Sequence, residues 1–81
     1  MGNMGTVQKM CLQELRDFAS EVRRRRQARN ISQTKLGALV GCSVKQINNI
    51  ERAVNWPSMP IYLGLCRELG FKSPMVARVD V

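Results

Sequence analysis

The chain contains no histidine. That removes the side chain most often used as a general base near neutral pH, and the commonest neutral metal ligand. Its three cysteines, Cys11, Cys42 and Cys66, stand far apart and form no C-x-x-C, so neither a metal site nor a disulfide framework is expected. Each reads instead as a small buried hydrophobe in a reducing cytoplasm. Aromatics make up only 5% of the residues. The core must therefore be mostly aliphatic, and a stacking platform for single strands, which needs several exposed aromatics, is not expected. No apolar run is long enough to cross a bilayer and no stretch resembles a signal peptide, so no membrane partner is expected. Without a paired carboxylate site, a cysteine beside a base or a phosphate-cradling glycine loop, neither enzymatic activity nor a cofactor is expected.

Acids are also scarce. Six Asp and Glu stand against 13 Lys and Arg, a formal charge of +7 on 81 residues with pI near 10.2. That is one small domain with a modest core, carrying an excess that favours a polyanionic partner. Ribosomal RNA, DNA and acidic membrane surfaces all satisfy charge alone, as does a merely solvated basic surface.

The stretch QTKLGALVGCSVKQINNIER, Gln33–Arg52, narrows the choice. Leu36, Leu39 and Val40 recur at helical spacing over Gln33–Val40, with Ser32 placed to cap the start. Gly41 can take the left-handed backbone that closes this helix, and Ser43 can cap a second over Val44–Arg52. At about 100° per residue, Ile50 and Glu51 fall beside Ile47, while Lys45, Asn49 and Arg52 fall opposite, flanked by Gln46 and Asn48. One face seeks a core; the other offers donors and amides with no acid among them, as a helix reading a DNA major groove requires. An ordinary solvated amphipathic pair is the bland alternative.

Ahead of this pair, residues 1–10 read as a flexible segment, with Thr6–Met10 open to either a short extended piece or a helical turn. From Cys11 to Arg29 the pattern is helical. Leu12, Leu15, Phe18, Ala19 and Val22 form the stripe, acids lie in the first half and arginines in the second, and Asn30 is suited to a left-handed end. Arg23–Arg26 spreads around the whole helix and cannot form one patch. Arg26 continues the apolar stripe and Glu51 sits on the Ile47/Ile50 side, so the two are expected to pair with each other. The other arginines are left for solvent or phosphate. Beyond Trp56, which is expected to pack or lie at a rim, Pro57 blocks helix. Ser58 can cap a fourth helix over Met59–Leu69, with Ile61, Tyr62, Leu65, Cys66, Leu69 and Met59 as its buried side and Gly70 as its end. Residues 72–81 alternate after Pro74 in a strand pattern. A lone strand must pair elsewhere, with the N-terminal segment or with the same strand of a second copy across a two-fold axis; the alternative is a disordered end.

With these residues in place, RQARNISQTKLGALVGCSVKQINNIERAVNWPSM and the later LCRELGF resemble the Cro/repressor-type (Xre-like) helix-turn-helix family, over about Val22 to Phe71. Leu36, Gly37, Val40, Gly41, Ile47 and Ile50 fall where that family's pattern wants them. The resemblance implies an all-α, four-helix domain over residues 11–71; the short C-terminal strand expected to serve dimerisation comes from the alternation of the tail, and is more like the paired tails of some DNA-binding antitoxins. The resemblance also implies an arginine–glutamate pair at Arg26 and Glu51. It puts Val44, Lys45, Gln46 and Asn49 at base edges, and Gln33, Ser43, Asn48, Arg52 and Asn55 at phosphates, with Gln33 also bracing the recognition helix. Asn49 can pair with adenine, Lys45 can donate to guanine and Val44 can meet a thymine methyl. Arg25 departs from the pattern, standing where the family carries an aliphatic residue, and the family's fifth helix is replaced by the valine-rich tail.

The implied function is sequence-specific binding of double-stranded DNA by a homodimer that regulates transcription, as a repressor, in a bacterial or phage setting. Two alternatives are an antitoxin with a protein toxin as partner, and a non-specific nucleic-acid or bridging module.

Overall fold

The computed structural model describes the backbone of residues 2–70 and the side chains of residues 12–70. Four helices run in order: α1 Gly2–Ala28, α2 Gln33–Val40, α3 Val44–Glu51 and α4 Met59–Leu69. The described residues contain no strand, and the expected strand in the tail lies outside them.

α1 begins well before the expected start at Cys11, so Thr6–Met10 is helical rather than extended. Once nucleated, a helix adds one hydrogen bond for each residue fixed, and Gln8, Lys9 and Met10 are good helix formers. Its other end is set by Asn30 at φ 57°. There Asn30 N–H reaches Gln27 O and Ile31 N–H reaches Arg26 O, the two bonds of a Schellman ending.

α2 and α3 have eight residues each, too short to be stable alone. Their termini are closed accordingly. The Ser32 hydroxyl accepts from Lys35 N–H at 3.0 Å, and Gly41 at φ 86° returns its N–H to Gly37 O. α3 ends one residue earlier than expected, with Arg52 as its C-cap. Ala53 at φ 59° then turns the chain, and the bonds Ala53 N–H to Ile50 O and Val54 N–H to Asn49 O repeat the Schellman pattern. α4 starts at Ser58, whose side chain makes no capping bond, and ends at Gly70 with φ 69°.

Val22, Leu36, Ile47, Leu65 and Leu69 are fully buried and bring all four helices into one core with Phe18, Ile50 and Cys66. At roughly 1.5–3 kcal/mol for each large aliphatic side chain, this core, rather than propensity, holds the short helices. Leu12, Leu39 and Met59, expected in the buried stripes, are instead exposed. Each sits at the margin of its helix's apolar arc, beyond the reach of a core this small. Trp56 is half exposed at a rim, stacked on Phe18 with centroids 6.1 Å apart, while Tyr62 lies 4.8 Å from Phe18.

The charged member of the α1 stripe is matched. Arg26 Nε donates to Glu51 Oε2 at 2.6 Å and Nη2 to Oε1 at 3.0 Å, while Nη1 donates to Ile31 O at 2.9 Å. The Glu51 side chain is 3% exposed and that of Arg26 13%. Removing one partner leaves the other charge buried. Arg26→Ala is therefore expected to cost about 3–5 kcal/mol, visible as an early thermal transition by circular dichroism. The double replacement Arg26→Met with Glu51→Leu should recover most of that loss, since apolar groups of similar volume need no partner.

Candidate nucleic-acid interface

The α2–α3 pair is set by one close approach. A Cβ built on Gly37 would lie 2.6 Å from the Cys42 carbonyl oxygen, so no larger residue fits without moving the turn backbone. The Cys42 thiol beside this contact is pushed above its ordinary range by burial, which makes it a packing group rather than a reactive thiolate.

α3 begins in a capping box. Gln46 N–H donates to Ser43 Oγ at 3.1 Å, and Ser43 N–H donates to Gln46 Oε1 at 3.0 Å. The box fixes the Gln46 side chain by its oxygen and leaves the amide nitrogen to donate outward. The Ser43 hydroxyl is likewise engaged at this cap, 3.3 Å from the same oxygen. Val44, Lys45 and Gln46 are exposed at the front of the helix, and Asn49 follows one turn on, half-buried.

From the other side α3 is braced by Gln33. Gln33 Nε2 donates to Glu51 Oε1 at 3.1 Å, and its own oxygen receives a long contact from Asn48 Nδ2 at 3.5 Å. Gln33 thus joins α2 to the carboxylate that Arg26 already holds.

Two grooves flank the outward ridge of Lys45, Asn49 and Arg52. One, of about 130 Å3, is lined by Gln46, Asn49, Asn55, Trp56 and Ser58, with Ile50 and Ile61 among its apolar walls. The other, of about 280 Å3, is lined by Arg23, Gln33, Asn48 and Arg52 over the Arg26–Glu51 pair. Both are smaller than the roughly 300–1,000 Å3 of drug-sized sites, and they suit narrow groups such as phosphates or base edges. The expected phosphate residues are thereby divided: Gln33, Asn48 and Arg52 lie in one groove, Asn55 in the other, and Ser43 at the helix start.

Two features escaped sequence reasoning. The first is the double use of Gln46, whose signal, Ser43 followed three residues later by Gln, was present. The second is Arg25, whose Nη1 donates to Leu69 O at 3.2 Å and Gly70 O at 3.1 Å. The cation closes the carboxyl end of α4, where the helix dipole favours it. No local signal announces a contact to so distant a segment.

No cluster of metal-ligating side chains occurs among the described residues, and no described helix is long and apolar enough to cross a membrane.

Replacing Gln46 by Glu separates cap from readout. Glu serves the capping box equally well, so the melting temperature of Gln46→Glu should stay close to wild type. A carboxylate on the outward face should lower duplex-DNA affinity at least about tenfold, roughly 1.4 kcal/mol, measured by fluorescence anisotropy.

Comparison with curated proteins and with solved structures gives no match. A helix-turn-helix family model matches residues 22–75, a span that takes in the Arg26–Glu51 pair, both short helices and α4. With two helices meeting at Gly37, turning at Gly41 and presenting an acid-free outer face, the chain belongs to the Cro/C1-type (Xre-like) helix-turn-helix family of DNA-binding regulators.

Proposed function

We propose that the protein is a sequence-specific repressor that binds duplex DNA as a homodimer and reads the major groove with α3. The observation that carries this reading is the state of α3's outer face. Lys45, Gln46 and Asn49 offer three hydrogen-bonding side chains and Val44 an apolar one, and the helix's sole acid, Glu51, is turned inward and neutralised by Arg26. A face so composed can pair with adenine through Asn49, donate to guanine through Lys45 and cover a thymine methyl with Val44. Gln33, Ser43, Asn48, Arg52 and Asn55 border it on two sides, where the strand backbones pass when a helix enters the groove. Repression then follows from occlusion of a promoter.

Selection of bound sequences from random duplex DNA tests the reading. The expected result is a pseudo-palindrome with half-sites about 34 Å apart, one helical turn, matching a two-fold dimer. Recovery of no consensus would overturn base readout and favour a non-specific module. On the selected site, Asn49→Ala and Lys45→Ala should each cost about 1–3 kcal/mol and relax preference at one position. Equal losses on selected and random DNA would count against them as reading residues.

Dimerisation is assigned to the valine-rich tail. Deleting Met75–Val81 should lower the solution mass from dimer to monomer by light scattering, and an unchanged mass would remove the tail from that role.

A further inference from the structure

The run Arg23–Arg26 is sorted by the fold. Arg24 Nη2 and Nε donate to the Glu21 carboxylate at 2.6 and 3.2 Å. Arg25 shares that carboxylate through Nε at 2.6 Å and closes the end of α4. Together they hold the Glu21 carboxyl below its ordinary range, the Arg24 hydrogen bond contributing most. Arg26 is consumed by Glu51. Of the four, only Arg23 has an exposed side chain with no hydrogen bond or ion pair among the described residues.

Its position gives that freedom a use. Arg23 lines the larger groove beside α3, and Arg52 lines the same groove from the end of α3, also exposed and with an uncommitted side chain. The Arg26–Glu51 pair between them is neutral in sum, so the field in this groove comes from Arg23 and Arg52. Among the described residues, no charged one lines the groove on the opposite side of α3. The two sides of the reading helix therefore differ: one presents two guanidinium groups with the Gln33 and Asn48 amides between, the other neutral polar, aromatic and aliphatic groups.

We propose that Arg23 is a DNA-backbone contact on α1, forming with Arg52 a two-cation clamp on the phosphates of one strand, while the opposite strand is held by neutral groups beside Asn55 and Trp56. The clamp makes α1 part of the interface and concentrates the salt-sensitive share of binding on one side of the recognition helix. It uses planar forks that match phosphate oxygens. This rests on the duplex-binding reading above.

The test is the slope of log affinity against log salt concentration, for the full chain on one labelled duplex. Each phosphate neutralised contributes about 0.9 to that slope. Arg23→Ala should reduce the slope by about 0.9 and weaken selected and random duplexes by the same factor. Arg23→Ala with Arg52→Ala should reduce the slope by about twice that. Arg24→Ala makes the same change in formal charge one residue away, at a side chain occupied by Glu21, and should leave the slope unchanged. Arg23→Gln serves as a second variant, and coincident melting curves exclude a folding effect. Equal slopes for the Arg23 and Arg24 variants would overturn the clamp, reducing the run to net charge, as would an Arg23 variant with the wild-type slope. A wild-type protein with no duplex affinity at low salt would instead overturn the DNA-binding reading itself.

Discussion

A carboxylate inside an apolar face governs this domain. Glu51 shares a side of α3 with Ile47 and Ile50, and its charge is tolerable there because Arg26 meets both of its oxygens. The contact reaches four segments at once. Arg26 belongs to α1, its third donor holds Ile31 in the α1–α2 turn, and Gln33 brings in α2 through the same carboxylate. A buried pair of this kind is close to break-even against an apolar replacement in stability. What it supplies is orientation: a hydrogen-bonded fork sets the rotation of α3 about its axis in a way that interchangeable aliphatic contacts do not.

That rotation determines the electrostatics of the surface. With Glu51 turned in, the outer ridge of α3 carries Lys45, Asn49 and Arg52 and no acid. The grooves beside it take opposite characters, since Arg23 and Arg52 flank one and, among the described residues, neutral groups line the other. Short helices have little stability of their own to resist reorientation, so caps at Ser32, Gly41 and Ser43 and the tight approach at Gly37 complete what the ion pair begins. Gln46 links the two tasks. The side-chain oxygen that closes the helix start also aims its amide nitrogen outward, so the donor is held in place before any ligand arrives.

Much of this was legible in the chain because the signals were local. Ser32, Gly41, Ser43 and Gly70 mark helix ends through the backbone geometry each residue favours, and α2 and α4 span the expected residues. The inward placement of Glu51 follows from helical spacing alone, as does that of Arg26. Less local features were not legible. Ala53 turns left-handed at φ 59° because the chain must leave α3 towards Trp56, although alanine has no preference for that geometry. Leu12, Leu39 and Met59 satisfy an apolar pattern yet stay exposed, because periodicity reports direction around a helix and not how far a core extends.

The arginine run shows where the division falls. Four consecutive cations point in four directions on any helix, so the sequence by itself determined that they could not act as one patch, and that Arg26 needed an acid. It also determined the family, the two short helices and the charge-poor core, since these depend on spacing and residue type. Glu21, one turn back on the same helix, is within local reach of Arg24 and Arg25. Only the tertiary structure decided that Arg25 also meets the end of α4 and that Arg23 shares a groove with Arg52. Those segments are distant in the chain, and only packing of the core brings them to α1.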